Sequence, residues 1–202
     1  MASEGFKYNG INHLAFVCRD MAETVAFWEG TLEMPLVCTL DIPLDGQHFF
    51  FDAGNETLVA FFWFPNTPPP EPGFAAPADY PPGDFVSAVG SCNHVALTVP
   101  LDEYDDHVAR LTAKGIAHSE VMNHDDSKWQ MSRTLNERVW LRSMYFWDPN
   151  GILVEFAALT RPFGPQDRRH DPKDANGARV PLSEIRSSYT PSSAGKVTVP
   201  LN

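Results

Sequence analysis

Apolar and polar residues alternate along this chain in two copies of one pattern. Residues 11–18, I-N-H-L-A-F-V-C, read as a strand. Asp20 follows at a helix N-cap position, with Glu23 three residues on as its capping-box partner. Met21, Val25, Trp28 and Leu32 then recur at helical spacing, which predicts an amphipathic helix ending near Leu32. Strands are predicted at about 36–41, 47–52 and 58–64, with Asn55 in the last turn. The pattern restarts at Cys92, where N-H-V-A-L-T-V at 93–99 repeats N-H-L-A-F-V-C at 12–18 with an offset of 81. A helix is predicted over 102–114, with Tyr104, Val108 and Leu111 on its apolar face and Gly115 as its stop. A strand near 116–121, a polar excursion over 122–140 and a hairpin over 141–157 complete the second half. Each half is therefore β-α-β-β-β, one supersecondary unit used twice in an α+β chain.

The hairpin turns at Asp148-Pro149-Asn150-Gly151, where Pro149 presets φ and Asn150 and Gly151 tolerate positive φ. In its second arm Ile152, Val154 and Phe156 share one face, while Leu153, Glu155 and Ala157 share the other. Glu155 is thus a lone carboxylate in an apolar strand. It either lies at an edge facing water or is buried against a partner or a metal.

Between the halves, residues 65–82 hold eight of the 18 prolines, which marks an extended linker. It can let the halves pack within one chain or swap between chains. The expected division is a first module over 1–64, a linker over 65–90, a second module over 91–159 and a tail over 160–202. The tail carries seven basic and four acidic side chains in a chain of net charge -11, so it either docks on the more acidic body or stays disordered. The overall charge argues against nucleic acid and anionic membrane as partners. The first ten residues lack the apolar run of a secretory signal, and no stretch approaches a membrane span. Cys18, Cys38 and Cys92 form no zinc or redox motif, which fits a reduced, cytoplasmic compartment.

Aligning the halves gives His13 and His94 equivalent places. By alternation each imidazole points away from its helix. If the hairpin packs Ile152, Val154 and Phe156 on its own helix, Glu155 points to the same inner side. Two imidazoles and one carboxylate converging there make a facial triad, which leaves coordination positions open and suits non-haem Fe(II). Satisfied core histidines and an exposed Glu are the alternative.

The stretches I-N-H-L-A-F-V, C-N-H-V-A-L-T-V and Y-F-W-D-P-N-G-I-L-V-E-F resemble the vicinal oxygen chelate superfamily. That superfamily includes glyoxalase I, methylmalonyl-CoA epimerase, fosfomycin-resistance transferases, bleomycin-resistance proteins and extradiol ring-cleaving dioxygenases. The resemblance spans about residues 10–64 and 91–158. It implies two βαβββ modules forming a cupped mixed sheet, a half-barrel with helices outside, around a divalent metal held by His13, His94 and Glu155. Ala60 aligns with Glu155 and cannot ligate, so the four-ligand pattern of glyoxalase I and the epimerases is not met; Glu56 substitutes only in a different register. Tyr145, ten residues before Glu155, matches the ring-cleaving branch and implies a phenol beside the metal. The His which that signature places upstream is missing, since Asn136, Glu137 and Arg138 stand there. His124 and His48 are candidates to supply the acid–base group. Half of the aromatic residues in 49–51 and 61–64 would line the cup and suit an aromatic substrate.

The expectation is a homodimeric, Fe(II)-dependent dioxygenase acting on a small catecholic molecule, with Mn(II), Ni(II) or Zn(II) as alternative metals. Isomerase, lyase or thiol-transferase chemistry on the same scaffold is the second reading. A ligand-sequestering protein without turnover is the third.

Overall fold

The computed structural model describes residues 8–68, 92–167 and 170–181. Most of the linker and the end of the tail, from 182 on, lie outside these residues. The chain forms two compact units, one reaching to Pro162 and one from Phe163 onward.

The first unit is α+β and consists of two βαβββ modules. In the first, β1 (His13–Val17) leads into α1 (Met21–Val25), and β2 (Leu36–Ile42), β3 (Gly46–Asp52) and β4 (Leu58–Trp63) follow. In the second, β5 (Val95–Thr98) leads into α2 (Tyr104–Ala113), and β6 (Met122–His124), β7 (Leu141–Trp147) and β8 (Leu153–Leu159) follow. Each module makes its own open, mixed four-stranded sheet, in the orders β1-β4-β3-β2 and β5-β8-β7-β6. The first strand of each lies parallel to the last, and the remaining pairs are antiparallel.

Three local expectations change. Asp20 caps α1 by accepting the Glu23 N–H at 2.9 Å, but the Glu23 carboxylate turns to Arg19 at 3.0 Å instead of returning to the cap. The helix also continues to Thr31 as a π turn over Ala26–Thr31, with the Leu32 N–H bonded to the Phe27 carbonyl. The wider turn lets adjacent Phe27 and Trp28 both be buried. Finally, the strand expected near 116–121 does not form. There the Tyr145 N–H donates to Ser119 Oγ, a side chain where a ladder would place a carbonyl, and only a His118–Phe146 bridge remains. Regular pairing resumes at β6, inside the expected polar excursion.

One face of each sheet enters a shared core. Phe16, Phe51, Val59 and Phe61 contribute from the first sheet, and Met144, Phe146, Val154 and Phe156 from the second. Phe27 and Trp28 lie between them, with Phe27 6.4 Å from Phe146 and Trp28 5.4 Å from Phe61. The hairpin turn locks this packing. Buried Asp148 accepts the Trp28 indole N–H at 3.3 Å and the Asn150 and Ile152 N–H groups at 2.8 Å. Asn150 in turn reaches Thr24 and the Arg19 N–H. Gly151 completes the turn at φ 83°. Burial pushes the Asp148 carboxyl above its ordinary range, against the pull of those donors. On the surface Glu33 accepts from Lys114 at 2.7 Å and from Arg110, and these two bonds hold its carboxyl below the usual range. No helix among the described residues is long and apolar enough to cross a membrane.

In the second unit, Pro165–Asp167 is a short 3-10 turn. Lys173 and Arg179 form a β-bridge around a turn in which Asp174 Oδ1 accepts the Asn176 and Ala178 N–H groups.

Because Asp148 satisfies one indole and two backbone donors, Asp148→Ala leaves buried N–H groups unpaired. We expect a loss of about 2–4 kcal/mol, read as a drop of roughly 5–15 °C in a thermal melt, with Asp148→Asn losing less.

Candidate metal centre

The second sheet collects most of the candidate chemistry on the face turned from its helix. Register sets Tyr145 directly across from Glu155 on β7 and Ala96 directly across on β5. Glu155 is only 2% exposed. Its Oε2 lies 2.9 Å from His94 Nε2, and Ser143 Oγ donates to its Oε1. The Tyr145 hydroxyl lies close to Ser143 and Glu155, and its ring stands edge-on to His94 at 5.6 Å. Burial first, then the Glu155 charge, pushes the Tyr145 phenol from its ordinary 10.0 up to about 12, so it is a hydrogen-bond donor at neutral pH.

His94 is fixed from its other side, where Nδ1 lies 2.7 Å from Asn93 Oδ1. The first sheet repeats this device, with His13 Nδ1 2.8 Å from Asn12 Oδ1. His13 sits at the start of an edge strand against Phe50. On the same face His48 stacks on Phe62 at 3.6 Å. Burial first, then His13, lowers the His48 pKa and keeps its ring neutral. His124 lies on the same face as Ser143 and Tyr145, at the outer edge of the second sheet beside Trp140. The Nε2 atoms of His48 and His124 are both buried without a hydrogen-bond partner.

Within one chain, then, His94 and Glu155 meet and His13 does not join them. Among the described residues no three His, Cys, Asp or Glu side chains come together to hold a metal. The cause is topological. The two sheets are bonded separately, and both turn their apolar faces into the common core, so the histidine-bearing faces point away from it. The pair itself suits a cation. If Nδ1–H is donated to Asn93, Nε2 presents a lone pair to a carboxylate, and a cation between them removes that repulsion.

Ala15 pairs with Ala60 as Ala96 pairs with Glu155, so the equivalent position in the first sheet is a methyl group. Glu56 lies in the preceding turn at φ 59° and is exposed, away from that position. The sequence pattern did not single out Ser143, Asn12 and Asn93, which contact Glu155, His13 and His94. The repeated Asn before each His was the available signal for the two asparagines; nothing marked Ser143. A separate cleft of about 640 Å³ lies near the start of α1, lined in part by Arg19, Asp41, Gln47 and Trp63. It holds none of the candidate groups, and the sheet faces are the better site because they carry the donors.

A repeated βαβββ module that presents an imidazole from its first strand, with a carboxylate on the last strand of one copy, has the build of a vicinal oxygen chelate protein. The sequence model of the Glyoxalase/Bleomycin resistance protein/Dioxygenase superfamily matches residues 10–156, and the chain belongs to that superfamily. No curated protein matches it significantly. Among solved structures, the glyoxalase family protein from Enterococcus faecalis is 20% identical with a TM-score of 0.52, over 74% of this chain and 98% of that one. A glyoxalase/dioxygenase from Nostoc punctiforme is 19% identical with a TM-score of 0.49, over 75% and 92%. The fosfomycin resistance protein FosX from Listeria monocytogenes, complexed with Mn(II) and 1S,2S-dihydroxypropylphosphonic acid, is 16% identical with a TM-score of 0.48, over 78% and 96%.

Tyr104 shares the alkaline behaviour of Tyr145, its phenol being pushed up mainly by burial while it donates to the Phe156 carbonyl. In a spectrophotometric titration we expect these two of the five tyrosines to ionise last, and Tyr145→Phe to remove one late step. A raised folded-state pKa means the stability linked to Tyr145 is intact below 10.0 and is lost as pH climbs toward about 12.

Proposed function

We propose that this protein is a metal-dependent enzyme acting on a small molecule through neighbouring oxygen atoms, and that it opens catechol-type rings. The observation that carries the reading is the half-buried Tyr145 phenol, set across from Glu155 on the face that also presents His94. His94 and Glu155 would hold a divalent cation together with His13. Fe(II) is the preferred ion, with Mn(II), Ni(II) and Zn(II) as alternatives. The metal, when bound, supplies Lewis acidity and, as Fe(II), the capacity to engage dioxygen. Ser143 fixes the Glu155 carboxylate from Oε1. Tyr145 donates its proton toward a substrate oxygen that becomes anionic. His124 and neutral His48, each with a buried Nε2 that lacks a hydrogen-bond partner, are the groups that would take or return a proton.

Because His13 lies apart from His94 and Glu155 within the chain, the third ligand comes from a second copy. The exposed Val17 and Leu40 on the face of His13, and Leu159 on the face of Glu155, are the apolar surface such pairing would cover. The active form is thus a homodimer whose sites each combine the first sheet of one copy with the second sheet of the other.

A second reading rests on the loop before β7. Asn136 and Arg138 stand there in place of an imidazole, the Arg138 N–H donating to Asn136 and its guanidinium to Asp126. That favours isomerase-, lyase- or thiol-transferase-like chemistry with Mn(II), Ni(II) or Zn(II). A catechol screen run with and without oxygen separates the two readings, and no turnover on either panel would leave a sequestering protein.

His13→Ala, His94→Ala and Glu155→Gln should each purify metal-poor. Co-expressing the two histidine variants tests the shared site. A mixed dimer regains one complete site, so metal content should recover to about a quarter of wild type, whereas sites built within single chains would recover none. Tyr145→Phe should stay folded and keep its metal while turnover falls about 10²-fold.

A further inference from the structure

We propose that Asn12 and Asn93 are positioning residues that fix the tautomer of the histidines that follow them. The proposal rests on the reading of His13 and His94 as ligands of a divalent cation. An amide oxygen only accepts, so His13 Nδ1, 2.8 Å from Asn12, carries the hydrogen; His94 lies between two acceptors, Asn93 at 2.7 Å from Nδ1 and Glu155 at 2.9 Å from Nε2, and a cation taking Nε2 leaves its hydrogen to Nδ1. A neutral ring has a single N–H, and with that on Nδ1, Nε2 keeps its lone pair for a cation. The same contact occurs in two sheets that share no strand, on one ring that is exposed and one that is partly buried.

The chain carries its own control. Asn123-His124 is a third Asn-His pair, yet Asn123 turns its amide to the Ser132 carbonyl at 3.2 Å, and its Oδ1 has no partner. His107 and His118 are held through Nδ1 by backbone carbonyls instead. The dipeptide alone therefore does not create the contact. It forms where the His opens the repeated β-α-β-β-β unit. A flexible imidazole would divide its population between tautomers and ring orientations. The amide removes that choice before the cation arrives, which strengthens binding without adding a ligand.

The test uses long-range ¹H–¹⁵N spectra of the full chain, metal-free and loaded with Zn(II), beside competition titrations of Zn(II) affinity. Metal-free protein should show the His13 proton on Nδ1. Zn(II)-loaded protein should show Nδ1–H on both rings, with each Nε2 shifted by coordination. Asn12→Ala and Asn93→Ala should each weaken Zn(II) binding by roughly 10–100-fold with unchanged far-UV circular dichroism. Asn12→Asp and Asn93→Asp keep an acceptor and should match or exceed wild type, and Asn123→Ala should change nothing. A His13 proton found on Nε2 in the metal-free protein, or affinities within about twofold of wild type in both alanine variants, would overturn the proposal. The wild-type spectrum decides the tautomer even if a variant fails to fold. If wild type binds no Zn(II), the ligand reading fails, while the His13 spectrum still decides whether the asparagine sets the proton.

Discussion

A carboxylate buried in the face of a sheet must be met by donors or by a cation, and the second module is built around meeting that demand at Glu155. The cost of stripping water from an ionised carboxylate far exceeds what one neutral hydrogen bond returns. Three side chains therefore converge on it: Ser143 on one oxygen, His94 on the other, and the Tyr145 phenol alongside. Their places follow from register. The β7–β8 pairing that sets Tyr145 across from Glu155 also brings Ser143 to its diagonal, and the parallel β5 strand delivers His94 from the other side. A slip of one residue in either pairing would turn the carboxylate into the apolar core.

That register is held from a distance. The two modules share one core, and the turn opening β8 is tied to the π turn of the first module through Asp148 and Trp28. Packing of the first helix thus reaches the strand that carries Glu155. The same packing commits both apolar faces to the interior and leaves both histidine faces outward, which separates His13 from its expected companions.

The fold was legible because alternation and helical spacing are local and the unit is repeated; Asn-His followed by alternating apolar residues marked both first strands. That Tyr145 and Glu155 share the sheet face opposite the apolar one was readable from strand parity alone. What was not readable depended on three-dimensional competition. The Tyr145 N–H meets the Ser119 hydroxyl where a strand was expected, and a wider helix turn accommodates the burial of adjacent Phe27 and Trp28. No local pattern distinguishes Ser143, a buried hydroxyl on a carboxylate, from a surface serine. Nor does strand parity say whether two inner faces meet within one chain; it fixes the side a residue takes and not which sheet lies opposite.

Ala60 gives the proposed centre an uneven charge count. The register partner of Glu155 in the first sheet is a methyl group, so the pseudo-symmetric pair of modules offers two neutral imidazoles and only one negative charge. Around a divalent cation that set leaves a surplus of one positive charge in a partly buried place, where it is weakly screened. A second carboxylate at residue 60 would cancel it. The single methyl therefore selects for what can bind next: a ligand that arrives as an anion, or becomes one by giving up a proton, is favoured over a neutral molecule of the same shape.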